Sequence, residues 1–247
     1  MGEIVYGDKV YGNKFGGDLV QGDKHVYGAG HVPDDGRLSG TQTHGGRAHR
    51  RESRVILLMT ANPLRTSALR LDQERRAIDQ AVTLAQAGDW LAIRTADAVR
   101  LDDLQSALLR HRPAIAHFSG HGSQSHGILV NDDFGLPQPV PPHALSDLFG
   151  ILRGSLRCVV LNACFTHEQA RAVARHVPCV IAMQGPVPDL TAIRFATGFY
   201  QGIAHGRSVR VAYELGLNLL SLHGHDDTQL PVLVAGEGVA EQTVIAD

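Results

Sequence analysis

Cysteine is scarce in this 247-residue chain: Cys158, Cys164 and Cys179 are the only three, an odd number, with no charged-then-apolar leader ahead of them. A secreted disulfide framework is therefore not expected, and a reducing cytoplasm is. Long apolar runs are missing too. None approaches the roughly 18–20 residues that cross a bilayer, so no membrane partner is expected. Neither sign of charge is in excess: 23 Lys and Arg stand against 25 Asp and Glu, and the pI is near 6.7. That balance argues against nucleic acid or an anionic membrane surface as a partner. His117, His126 and His143 belong to no HExxH or paired-cysteine pattern, so neither a metal nor another cofactor is expected. The absence of GxGxxG or a P-loop after the first apolar run counts against a nucleotide-binding α/β sensor.

Glycine, by contrast, is abundant and ordered at the front. It recurs at Gly2, Gly7, Gly12, Gly17 and Gly22, each followed by Glu3, Asp8, Asn13, Asp18 or Asp23, with Val5, Val10, Phe15 and Val20 in the fourth place of each unit. So short a unit cannot bury its own apolar face, so residues 1–28 are expected to stack along the chain or against other copies, making a homo-oligomer the natural inference. The alternative is a flexible glycine-rich leader. Residues 29–53 are rich in glycine, histidine and arginine and read as a flexible linker, with Arg47, Arg50, Arg51 and Arg54 at its end.

From residue 54 the pattern changes to alternating strands and helices. Arg54 to Met59 is a continuous apolar run ended by Thr60-Ala61-Asn62-Pro63. Leu71 to Ala87 has helical spacing closed by Gly88, Trp90 to Ile93 is a strand, and Leu101 to Leu108 is a second amphipathic helix. A strand leading to His121, a hairpin or excursion over 127–135, a helix over 143–152 and a strand from Cys158 to Asn162 follow. Helix 168–176, strand 180–183, two helices within 190–222 and a last strand at 231–234 complete the order. Repeated β-α units predict an α/β fold with a mostly parallel sheet flanked by helices on both faces, over about residues 54–236, and a C-terminal tail at 237–247.

Two of those strands stop at reactive side chains, His121 and Cys164. Open parallel sheets place their chemistry just past the strands' carboxyl ends, so the two could face one another. An imidazole beside a thiol can take its proton and return it to a leaving amine. Taken singly, His121 reads as a buried polar plug and Cys164 as an inert core thiol. Cys158 and Cys179 lie inside apolar runs and read as core.

Several stretches together resemble the CHAT family, caspase-like cysteine peptidases of the clan that also holds caspases, metacaspases and separase. They are Ala61-Asn62-Pro63, Leu69-Arg70-Leu71-Asp72-Gln73-Glu74, His117-Phe118-Ser119-Gly120-His121-Gly122, Leu161-Asn162-Ala163-Cys164, and Phe195 to Tyr200 with Gly206. The order is right and the span is about 54 to 235. The front repeat resembles the glycine-aspartate repeats of some bacterial defence and signalling effectors. The resemblance implies a caspase-like sheet, a catalytic pair His121 and Cys164, and an oxyanion hole from the backbone N–H groups of Gly122 and Cys164. It also implies that Asp189 helps bind a basic P1 side chain, although the same acid would serve equally as an N-cap for a helix beginning at Leu190. Asp132 and Asp133 are further acids that could line that pocket.

The expected function is thus a cysteine endopeptidase cleaving a protein partner after basic residues, in bacterial defence or regulated cell death, with an upstream sensor or activating ligand. A basic preference would make the arginine-rich linker a candidate for self-cleavage. The rival is a non-catalytic caspase-fold interaction or oligomeric scaffold module.

Overall fold

A computed structural model describes residues 53–246; the glycine-spaced repeat and nearly all of the linker lie outside the described residues. In chain order the elements are β1 (Arg54–Ala61), α1 (Leu71–Leu84), β2 (Leu91–Ala96), α2 (Leu101–His111), β3 (Ile115–Ser123), β4 (Gly127–Asn131), β5 (Pro137–Pro139) and α3 (Pro142–Ile151). Then come β6 (Cys158–Asn162), α4 (His167–Val173), β7 (Cys179–Met183), α5 (Asp189–Ala204), α6 (Val209–Leu222), β8 (Pro231–Ala235) and α7 (Val239–Gln242).

The main sheet runs β2-β1-β3-β6-β7-β8. Every pairing along it is parallel except β7 with β8. Its central strands are largely hydrophobic because both faces are covered. In β1, Ile56 and Leu58 join the layer formed with α1, α5, α6 and α7, while Leu57 and Met59 join the opposite layer with α2, α3 and α4. The fold is therefore the expected mixed α/β arrangement, helices on both faces.

Two boundaries differ from expectation for local reasons. Helix α1 stops at Leu84 and not at Gly88, because Gln86 takes up the left-handed conformation (φ 54°) and a 3-10 turn spans Ala87–Asp89. Gly88 lies inside that turn. Residues 237–246, set apart above as a tail, pack onto the domain: Ala240 and Ile245 are buried with the α5–α6 layer and Val244 bridges Ser208.

The excursion after β3 is a hairpin extension. β3 overruns the sheet, and its last residues pair antiparallel with β4, which pairs with β5. On the opposite side of the molecule's chain order, α5 and α6 approach closely enough that a Cβ on Gly198 would lie 2.6 Å from the Leu215 carbonyl oxygen. Backbone cannot yield as a flexible side chain can. Gly198→Ala should therefore cost the 1–3 kcal/mol typical of overpacking, a fall in Tm of roughly 2–12 °C by thermal denaturation. Gly88→Ala, whose Cβ would meet nothing within 4 Å, should leave Tm almost unchanged.

Candidate active site

The last parallel register pair between β3 and β6 is Ser119 with Asn162. His121 and Cys164 each lie two residues further, so the alternation of the strands carries both to the carboxyl edge of the sheet on neighbouring strands. They line one cleft together with Glu74, Asn162, Val187 and Asp189. Gly122 explains how the backbones come so close. A Cβ there would lie 2.1 Å from the Cys164 carbonyl oxygen, so only a residue without a side chain lets β3 pass the Cys164 turn.

That turn is held from below. Thr166 is fully buried, and its hydroxyl donates to the carbonyls of Leu161 and Ala163 while accepting the Met183 N–H at 3.1 Å. Phe165 between them is left-handed (φ 57°), a strained conformation for a bulky residue that such anchoring can enforce. The Cys164 Sγ accepts a hydrogen bond from the Val187 N–H at 3.3 Å.

His121 is oriented by its Nε2, which lies 2.9 Å from the Ser67 carbonyl oxygen and 3.3 Å from Asn62 Oδ1. Both are acceptors, and a backbone carbonyl can be nothing else, so the proton sits on Nε2. Nδ1 is then the ring nitrogen able to accept a proton. Among the described residues, thiol and imidazole make no hydrogen bond to each other.

Beneath the cleft lies a buried polar network. The Glu74 carboxylate accepts from His117 Nε2 at 3.0 Å, from Asn162 Nδ2 at 2.5 Å and from the Ser119 hydroxyl. His117 Nδ1 in turn lies 2.9 Å from the Tyr200 hydroxyl. Burial raises the Tyr200 phenol well above its ordinary range, with the nearby Cys158 and Glu74 adding to the effect, so its proton stays on and is available to Nδ1. For Glu74 burial likewise pushes the carboxyl up, but His117 and the other donors outweigh it and hold the group below its ordinary value of 4.5. Sequence reasoning did not find this role. Its trace was there: Leu71, Glu74 and Ile78 share one helical stripe, and an acid on a core-facing stripe requires buried partners.

The remaining expectations separate cleanly. Asp189 is half-buried in the cleft, but it occupies the first turn of α5 while Pro188 takes the N-cap position, and its carboxylate accepts the Arg70 N–H at 3.1 Å. Asp132 and Asp133 are not in this cleft. Asp132 closes the β4–β5 turn by accepting from the N–H groups of Phe134 and Leu136, and Asp133 pairs with Arg100 at 3.1 Å, both lining a separate pocket beside α2. Acids at a hairpin tip read the same from sequence whether they serve a pocket or a turn. His126 and His143 are exposed and His117 is consumed by the network. Among the described residues no group of three or more His, Cys, Asp or Glu could hold a metal. Cys158 and Cys179 face each other across β6 and β7 and are fully buried, which raises the Cys158 thiol well above its ordinary range.

A profile of the CHAT domain matches residues 31–214. The chain is 24% identical over 171 residues to a Roc-COR-CHAT protease of an unknown prokaryotic organism, covering 66% of this chain and 16% of that protein. It is 20% identical over 163 residues to a probable protease of Gillisia limnaea (strain DSM 15749 / LMG 21470 / R-8282), covering 64% and 28%. The chain thus spans less than a third of the length of either relative. Its fold is similar to that of the Arg-specific cysteine proteinase gingipain R (RGPB), with a TM-score of 0.52, 10% identity, and 80% and 51% of the two chains covered. It is also similar to that of caspase-1 from Spodoptera frugiperda, with a TM-score of 0.50, 8% identity, and 79% and 89% covered. At those identities the likeness establishes a caspase-like fold.

The network makes a pH-dependent prediction. A carboxyl held below its ordinary value contributes stability that is fully present above that value and is lost as pH falls through the folded one. Glu74→Gln removes the charge and turns an amide N–H₂ toward other donors, so at pH 7 it should cost about 2–4 kcal/mol. Urea denaturation of both proteins should show that gap narrowing as pH drops below 4.5, the wild type losing what the variant never had.

Proposed function

Because the chain belongs to the CHAT-domain family, with a caspase-like fold and protease relatives, we propose that it is a cysteine endopeptidase in which His121 and Cys164 form the catalytic pair. The observation that carries this reading is the shared register step: both residues stand two positions past the Ser119–Asn162 pair, in one cleft, with Gly122 against the Cys164 backbone.

In the reaction, His121 Nδ1 takes the proton of the Cys164 thiol, and the thiolate attacks the scissile carbonyl carbon to form a tetrahedral adduct. The N–H groups of Gly122 and Cys164 receive the developing oxyanion. Collapse of the adduct breaks the C–N bond as the imidazolium gives its proton to the leaving amine, leaving a thioester. Water, deprotonated by the same nitrogen, then releases the acid and restores the thiol. The Ser67 carbonyl and Asn62 keep the ring in the tautomer this requires. Apo catalytic contacts commonly lengthen and close only on substrate, which accommodates the absence of a thiol–imidazole bond.

A basic P1 residue suits the cleft. Its acceptors are the Asp189 carboxylate and the Asn162 side-chain oxygen, which is buried without a partner because the amide nitrogen points to Glu74. A guanidinium or ammonium, which only donates, would satisfy both. The substrate is then a protein partner, cleaved in bacterial defence or regulated cell death, with the peptidase gated by an upstream sensor or ligand and assembled through its N-terminal repeat.

Fluorogenic peptides differing only at P1 test this. Wild type should turn over Arg and Lys substrates, Cys164→Ala and His121→Ala should abolish turnover, and Asp189→Asn should lower kcat/KM for basic P1 roughly 10–100-fold. Should none be cleaved, labelling of Cys164 by a thiol-reactive peptide electrophile decides: an unlabelled cysteine in folded protein would leave the non-catalytic module as the reading. Intact-mass analysis should also show a cut after Arg47, Arg50 or Arg51 in active protein and none in Cys164→Ala.

A further inference from the structure

A parallel sheet has a second edge, and here that edge carries its own cavity. Arg54 opens β1, Ala114 precedes β3 and Arg157 precedes β6, so three neighbouring strands begin together at the edge opposite His121 and Cys164. The cavity there measures about 390 Å³, within the range of small-molecule sites. Arg54, Arg110, Arg112 and Arg157 with His111 and two serines supply its polar lining, and among the described residues no acidic side chain lines it.

Four of the ten residues that line it are arginine. Arg76, Arg100, Arg171 and Arg210 each pair with a carboxylate. Arg110, Arg112 and Arg157 have no such partner among the described residues, and all three are exposed. The C-terminal dipole of α2 rewards a cation in its last turn and so accounts for Arg110 and His111. It does not account for Arg157, which arrives from another element and is fixed there by its N–H bonding to the Ala114 carbonyl at 2.8 Å.

Arg112 stands on the same edge. It ends α2 in the left-handed conformation (φ 42°), where glycine is the residue of least strain. An arginine thus occupies a strained backbone position two residues before the carbonyl that anchors Arg157. His111 reports the crowding of charge: burial and the nearby Arg110 and Arg94 together hold its imidazole below the ordinary range.

We propose that this cavity binds a small molecule carrying two or more phosphate groups, held by the guanidinium forks of Arg110, Arg112 and Arg157. Planar guanidinium groups match phosphate oxygens two at a time, and several converging on one concavity suit clustered phosphates rather than a single anion. A long nucleic acid is disfavoured, because the basic groups surround a cavity on a chain that carries a net charge of −2.

The test is calorimetric titration and thermal shift of the full chain with sodium tripolyphosphate, in parallel with a short single-stranded DNA. Tripolyphosphate should bind, raise Tm, and weaken as salt is increased. The Arg110→Ser, Arg157→Ser double variant should bind about tenfold or more weakly with its ligand-free Tm little changed. Arg112→Gly should also weaken binding while its ligand-free Tm stays the same or rises, because glycine relieves the left-handed strain. Unaltered affinity in these variants, no binding at millimolar tripolyphosphate, or much tighter binding of the DNA would each overturn the proposal. None of these readouts depends on peptide turnover, so the outcome is independent of the peptidase reading.

Discussion

The rest of the site depends on one buried carboxylate. Glu74 projects from α1 into the sheet and takes hydrogen bonds from β3 through His117 and Ser119 and from β6 through Asn162, while His117 continues to Tyr200 on α5. One side chain thereby joins two helices to the two strands that carry the candidate catalytic residues. Taking a carboxylate out of water costs several kcal/mol unless its oxygens are matched by donors, and here three donors meet two oxygens. The geometry of α1, β3 and β6 is consequently not free to vary independently. A shift of any one would strand a charge.

Above that foundation, close backbone approach does the positioning. Gly122 lies against the Cys164 carbonyl, and a Cβ on Gly120 would lie 2.6 Å from the Ala61 carbonyl, so β3 is flanked tightly by the ends of β6 and β1. Between these glycines the single side chain is His121, directed to the Asn62–Ser67 loop that follows β1. Three strand ends therefore define one imidazole. The Cys164 turn is set separately, by a fully buried Thr166 that bonds to two carbonyls of its own strand end and to the next strand. Small residues permit the approach and hydrogen bonds select the outcome.

Much of this was legible in the chain because parallel central strands carry a strong local signal. The runs 55–59, 115–118 and 158–161 are apolar apart from His117, and both faces of each are covered. His121 and Cys164 stood out because each interrupts such a run at its carboxyl end. The helix stop was misread because a glycine is the usual terminator, whereas Gln86 took the left-handed angle two residues earlier. Asp132 and Asp133 could not be placed because an acid in a hairpin tip bonds its own backbone or reaches a neighbour according to folding that lies outside the local pattern. The Glu74 network was opaque for a different reason. Its partners are 43, 45 and 88 residues away, and nothing in a linear pattern states which buried donor meets which buried acceptor.

Stability alone does not explain why that carboxylate is there. A buried ionic cluster can often be exchanged for well-packed apolar side chains at no loss, so its presence beneath a cleft calls for a local reason. Asn162 supplies one. An amide can present either its oxygen or its nitrogen, and the Glu74 carboxylate, which only accepts, takes the nitrogen. The oxygen is left buried and, among the described residues, unpartnered in a residue that lines the cleft beside Cys164. An apolar residue at position 74 would leave the amide without a preferred orientation. The buried charge thus converts an ambiguous group into an acceptor of fixed sense, and the cost of holding a carboxylate in the core is offset by donors that the two strands must in any case bring together.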